Sequence, residues 1–263
     1  MPPGPRASMA ETLSCSTSST RAAPAPSPPD LSGAIGLGAR STLLDELAAH
    51  DARAAELAKE RGRTILDAAQ QRLDSQGVEH VSLALRTGEI ADSLVKRAGD
   101  LIVMGKRGEG ADFEKLHLGS NLERVVRAVH KPVLIASRAF KPIGHAVFAF
   151  DDGVSARKAL DSLVQSPMAD RPRITVFSVT DQGSDLAKAG IAAAARLTEA
   201  GYDAAAKAES GHAEKIITEE TERDGADLLI MGAYGHSRIR NLIIGSTTTS
   251  LIRSCRIPLL LFR

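Results

Sequence analysis

Residues 231–249 read MGAYGHSRIRNLIIGSTTT and follow the apolar run ADLLI, residues 226–230. Gly232, Gly235 and the pair Gly245–Ser246 stand in the spacing G-x2-G-x9-G-S, which predicts a strand that opens into a loop and returns to a helix N-terminus. Glycine allows positive φ and close approach of a ligand to the main chain. The first turn of a helix adds unpaired N–H groups and the positive end of its dipole. An anion, most often a phosphate, suits such a loop. The plainer reading has its own support, because glycines after strands are ordinary turn residues and Ser246 is a good N-cap by itself. Arg238 and Arg240 read equally well as solvated surface.

Around this stretch, apolar runs alternate with amphipathic ones. HAVFAF (145–150) runs into Asp151–Asp152–Gly153, a helix covers 155–166, and ITVFSVT (174–180) reads as the next strand. An Ala-rich helix (185–200), a strand (202–208), a helix (213–225), the strand ADLLIMG and a final helix and strand, PLLLF, complete the half. Strands alternating with helices predict a mostly parallel sheet covered on both faces.

The same plan occurs upstream. GDLIVMGKRG (99–108) matches GADLLIMGAYG, and LGSNLERVVRAVHKPVLIAS matches IGSTTTSLIRSCRIPLLLFR, so the chain carries an internal duplication and two domains. Ahead of the first copy, residues 39–76 show apolar positions at helical spacing, with Gly77 as the stop. Gly62 within that helix predicts a bend or a cost of about 1 kcal/mol. VEHVSLAL (78–85) reads as a strand, but nothing in the first half is equivalent to HAVFAF and ITVFSVT. That strand therefore lacks a partner unless the sheet closes up or another chain fills the gap. Residues 11–17 could supply one short strand, although their Pro-rich flanks make it a weak substitute. Residues 1–30 have several prolines and no apolar periodicity, and are expected to be disordered or aberrant.

A length of 263 residues accommodates two such domains, and a net charge of +1 provides no field for nucleic acid or an anionic membrane. With aromatics at 3% and no Trp, a base-stacking surface is not expected. Cys15 and Cys255 show no metal-ligand spacing, and no run approaches the roughly 18 apolar residues of a membrane span. Arg6 and Arg21 flank no continuous apolar h-region. A cytoplasmic protein without nucleic-acid or membrane partners fits these features better than an organelle-targeted one.

Two copies of strand-MG-x2-G-loop-GS-helix-P-strand, the second preceded by a strand ending in Asp151, resemble the universal stress protein family in a tandem form. The resemblance covers about residues 30–263, with a truncated domain at 31–140 and a complete one at 141–263. It implies an α/β fold of Rossmann-like, adenine nucleotide alpha hydrolase-like open sheets in strand order 3-2-1-4-5, the first lacking its N-terminal strands. Nucleotide-binding members hold ATP at the carboxyl ends of strands 1 and 4. Carried onto this sequence, Asp151 would face adenine and ribose, and Val179 would line the adenine pocket. Met231, Gly232, Ala233 and Gly235 would pass beside the ribose and first phosphates, while Gly245, Ser246, Thr247 and Thr248 would cap the remaining ones. The cofactor implied is ATP, with or without Mg2+. Asp151 also ends an apolar strand at a sheet switch point, where open α/β sheets bind ligands. Alternatively its carboxylate serves only the turn before the next helix. His236, Arg238 and Arg240 could screen a triphosphate.

The first copy is an internal control. Its loop runs G-x2-G-x10-G-S, one residue longer, and its helix opens Ser120–Asn121–Leu122–Glu123, a capping-box pattern whose carboxylate would repel a phosphate. Nucleotide is expected at the C-terminal copy alone.

Three function classes follow: an ATP-binding stress or regulatory module, an enzyme for ATP hydrolysis or nucleotidyl transfer, and a nucleotide-free dimerising scaffold. No nucleophile–base pair has a clear spacing, no Walker lysine follows the loop, and His236 stands alone, so no catalytic residue is assigned. VLIAS and PLLLF read as apolar edges that pair either the two halves, as an intramolecular pseudo-dimer, or two chains, as a homo-oligomer.

Overall fold

Continuous apolar runs become strands and the amphipathic stretches between them become helices. The computed structural model describes residues 13–15, 18–19, 37–78, 80–87, 90–95, 99–105, 120–137, 140–233 and 246–263. The chain divides into two compact units, Met1–Ile90 and Ala91–Arg263, and the duplication boundary near residue 141 falls inside the second.

The first unit contains β1 (Leu13–Cys15), β2 (Ser18–Ser19), α1 (Leu37–Ser75), β3 (Val81–Leu83) and β4 (Arg86–Thr87). Helix α1 ends as its sequence predicts. Gly77 takes φ +76°, its N–H bonds the Asp74 carbonyl, and the Val78 N–H bonds that of Leu73, the paired closure of a Schellman motif. Gly62 is buried within α1, and Leu66 is buried one turn later, whereas Leu43, Leu44, Leu47 and Leu57 are exposed. Strand β3 finds its partner in the short segment offered for it within residues 11–17: Leu13–Cys15 pairs with it in parallel, Leu13 opposite Val81. The three paired residues contain no proline, so each can join a ladder despite the flanks. Strands β2 and β4 form a second short parallel pair.

The division between units falls within α2 (Ile90–Val95). The second unit continues with β5 (Ile102–Gly105), α3 (Ser120–Ala128) and β6 (Val133–Ala136). The second repeat then supplies β7 (His145–Ala149), α4 (Val154–Gln165), β8 (Arg173–Val179), α5 (Asp185–Glu199), β9 (Ala204–Glu209), α6 (Ala213–Arg223), β10 (Leu228–Gly232), α7 (Ser246–Ser254) and β11 (Leu259–Phe262). Seven of these strands form one sheet in the order β5-β6-β11-β10-β7-β8-β9. Counted from β7, the second repeat's five strands lie 3-2-1-4-5.

Every neighbouring pair in the sheet is parallel except β6 and β11, which run antiparallel with Leu260 opposite Leu134. VLIAS and PLLLF therefore join the two halves within one chain. On one face of the sheet α4 packs on β10 and β11, and α5 on β8 and β9. Phe148, Leu228 and Ile230, all fully buried, meet Ala156, Ala159 and Leu160 there. Burying a side chain of Leu, Ile or Phe size contributes about 1.5–3 kcal/mol, so this layer fixes the strand ends that carry the site.

Candidate functional site

The carboxyl end of β7 is anchored before any ligand is considered. The Phe150 N–H bonds the Phe177 carbonyl at 2.9 Å, and the Ser178 hydroxyl donates back to the Phe150 carbonyl at 2.9 Å. Asp151 follows, half-buried, and its Oδ1 accepts the Gly153 N–H at 2.9 Å. Asp151 thus serves the turn through Oδ1. Asp152 takes φ +56° and faces Arg157, whose Nε and Nη2 reach its two oxygens at 2.8 and 2.6 Å. That hydrogen bond and charge hold the Arg157 guanidinium above its ordinary range. Both partners reach solvent, so the pair shapes the turn more than it stabilises the fold.

Gly153 caps α4 with no side-chain hydrogen bond, and no acid lies in the first turn of α4. Gly232, the last residue of β10, packs against that turn. A Cβ placed on Gly232 would lie 2.9 Å from Ser155 Cβ and 3.1 Å from the Ala156 nitrogen. Glycine is needed here for close packing of strand on helix, and the same bareness leaves backbone accessible beside a helix N-terminus. Met231 is buried, opposite Ala149 of β7, so what it can offer a ligand is main chain.

Ala233 continues the strand by one hydrogen bond, its N–H to the Phe262 carbonyl at 2.7 Å. Its own carbonyl accepts the hydroxyl of Thr248 at 3.1 Å. Thr248 is 3% exposed, so its hydroxyl is committed to the fold, and an anion could be met only by its main-chain N–H. Helix α7 opens at Ser246, also without an acid in its first turn, and Thr247 is half-buried beside Thr248. Val179 closes β8, the strand next to β7, and is half-buried.

Asp151, Val179, Met231, Gly232, Ala233, Thr247 and Thr248 thus share the carboxyl pole of the sheet with the start of α7. Gly235, Gly245, His236, Arg238 and Arg240 lie outside the described residues, as does the side chain of Ser246. The first-repeat loop from 106 to 119 and the Ser120 side chain are also outside them, while Glu123 does stand in the first turn of α3. Sequence reasoning missed Gly153, Ser155 and the Asp152–Arg157 clamp. The available signal was the run DDG-x-S directly after a buried strand.

The other helices of the second repeat sharpen the contrast. Ser184 caps α5 by accepting the Ala187 N–H at 3.1 Å, with Asp185 in its first turn, and α6 carries Glu214 in its own. Side chains compensate those N-termini, whereas α4 has no side-chain cap and neither α4 nor α7 carries an acid in its first turn. Phosphate oxygens fit such a donor set. Among the described residues no three His, Cys, Asp or Glu side chains gather to hold a metal ion.

The sequence profile of the universal stress protein family matches residues 26–137 and again residues 142–263. The chain belongs to the universal stress protein family. Universal stress protein Slr1230 of Synechocystis sp. is 39% identical over 239 residues, which cover 89% of this chain and 83% of that one. A universal stress protein from Archaeoglobus fulgidus superposes with a TM-score of 0.63 at 23% identity, covering 80% of this chain and 78% of the other. A universal stress protein structure from Pseudomonas aeruginosa gives 0.57 at 15% identity, covering 76% and 77%. At these identities the structural likeness concerns the universal stress protein fold.

Proposed function

We propose that this universal stress protein binds an adenine nucleotide, ATP with or without Mg2+, at the carboxyl pole of its second repeat, and acts as a cytoplasmic stress-response regulatory module without rapid turnover. The observation that carries the reading is the meeting of two helix N-termini, neither with an acid in its first turn, on the end of β10. The first turn of α4 lies against Gly232, and Thr248 in the first turn of α7 holds the Ala233 carbonyl. First-turn amides and the dipoles of both helices favour an anion there. Asp151 supplies an acceptor suited to ribose hydroxyls or an exocyclic amine, and Val179 an apolar surface for the base.

The domains are taken as 31–140 and 141–263, the first with a structural role. Its helix α3 already carries Glu123 in the first turn, which opposes an anion at the equivalent place. Mass spectrometry of ligand retained by the native protein tests the reading. Intact ATP supports a binding module and ADP supports a hydrolase. No retained nucleotide, together with no thermal stabilisation by added ATP, would count for the nucleotide-free scaffold.

A further inference from the structure

The buried hydroxyls among the described residues are bonded, with one exception. Thr175 meets His145 Nε2 at 2.9 Å, Ser178 donates to the Phe150 carbonyl at 2.9 Å, Thr221 to that of Thr218 at 2.8 Å and Thr248 to that of Ala233 at 3.1 Å. The exception is Ser155, 5% exposed in the first turn of α4, whose hydroxyl has no hydrogen-bond partner among the described residues. Burying a hydroxyl without a partner is costly, and alanine would keep the same Cβ and make a better helix. The fold itself gains nothing from this oxygen.

Its surroundings indicate what the oxygen can serve. Ser155 Cβ lies 2.9 Å from the place a Cβ on Gly232 would take, so the residue stands at the carboxyl end of β10, where Gly232 contributes no side chain. The oxygen keeps contact with solvent, because the one side-chain polar atom that is both fully enclosed and without a hydrogen bond among the described residues is Asp227 Oδ1. Helix α4 has no side-chain cap and no acid in its first turn, which favours an acceptor bearing negative charge. Asp151 is drawn onto the Gly153 N–H ahead of the helix, so the first side-chain donor that an anion meets within α4 is Ser155.

We infer that Ser155 is a ligand-contact residue of the nucleotide site, its hydroxyl donating to an oxygen of the phosphate nearest the sugar. The inference rests on the nucleotide reading above and adds to it a residue outside the glycine loop. A hydroxyl bonded to an anionic oxygen makes a charge-assisted hydrogen bond, about twice as strong as a neutral one. The ligand thus supplies the partner that the fold withholds, and Ser155 contributes to affinity without contributing to the stability of the free protein.

Titration of ATP and of adenosine into the full chain and its Ser155→Ala variant, with melting of the free proteins, tests this. The variant should melt no lower than wild type, bind ATP about tenfold more weakly and bind adenosine within about twofold. An equal loss for adenosine would assign the hydroxyl to the sugar or base and overturn the inference. So would a melting temperature lowered by several degrees, which would mean that the hydroxyl serves the fold. ATP binding equal in the two proteins fails the inference alone, whereas a wild type that binds neither ATP nor adenosine fails the nucleotide reading and the inference with it.

Discussion

The hydroxyl of Thr248 donates to the carbonyl of Ala233 across 3.1 Å, tying the first turn of α7 to the end of β10 over a separation of 15 residues. Removing the hydroxyl while keeping the shape leaves a buried carbonyl without its donor. Thr248→Val should lower unfolding free energy by about 1–3 kcal/mol, and Thr248→Ser should recover most of it. Urea denaturation measures both. ATP affinity should fall with the valine variant, because α7 loses its tether to the strand.

Gly232 leads to a separate expectation. A methyl group there meets Ser155 Cβ at 2.9 Å and the Ala156 nitrogen at 3.1 Å, and backbone cannot yield as a flexible side chain would. Gly232→Ala should cost about 1–3 kcal/mol by overpacking and move α4 away from β10. Thermal unfolding should show the cost, and nucleotide titration a weaker site.

Acid sensitivity should concentrate at the opposite pole. Asp227 is largely buried; Lys141 Nζ lies 2.5 Å from its Oδ1, and the Gly144 and His145 amides donate to its Oδ2. Lys141 first, and then the two amides, hold this carboxyl below its ordinary value against the opposing effect of burial. A depressed folded pKa contributes stability that is fully present above the unfolded value, near ~3.9, and is lost as pH falls through the folded one. Asp227→Asn should therefore be less stable than wild type at pH 7, with the gap closing below about pH 4. Denaturation at stepped pH tests the sign.

Glu220 is fully buried on α6, accepting Lys207 Nζ at 2.6 and 2.7 Å and Arg223 Nη1 at 3.0 Å. Lys207→Ala should destabilise by on the order of 3 kcal/mol, because it strips a buried carboxylate of its main partner. The double change Lys207→Met with Glu220→Leu should cost much less. A denaturation series on the three variants decides it.

Much of the second repeat was legible because its central strands β7, β8 and β10 are buried on both faces. LLIMG and LLLF are continuous apolar runs. Gly77 was legible because its motif is local. The partner of β3 was legible only as a weak candidate, since Leu13–Cys15 is three residues long and the pairing spans the length of α1. At the site, Asp151 and Gly232 followed from strand ends. The Thr248–Ala233 bond and the packing of Ser155 on Gly232 are long-range contacts that no spacing encodes. The Asp152–Arg157 clamp depends on a left-handed residue, which Asp adopts only in particular turns. Whether VLIAS and PLLLF joined two halves or two chains was undetermined by pattern, because both arrangements bury the same residues.

Calorimetric titration of ATP into the full chain and its Asp151→Ala variant tests the nucleotide site most directly. Wild type should bind one equivalent per chain, and Asp151→Ala should weaken binding at least tenfold while leaving the melting temperature of the free protein within about 2 °C, as a half-exposed turn carboxylate implies. Equal affinity in both proteins, or no heat of binding in either, would contradict a nucleotide site at the carboxyl pole of the second repeat.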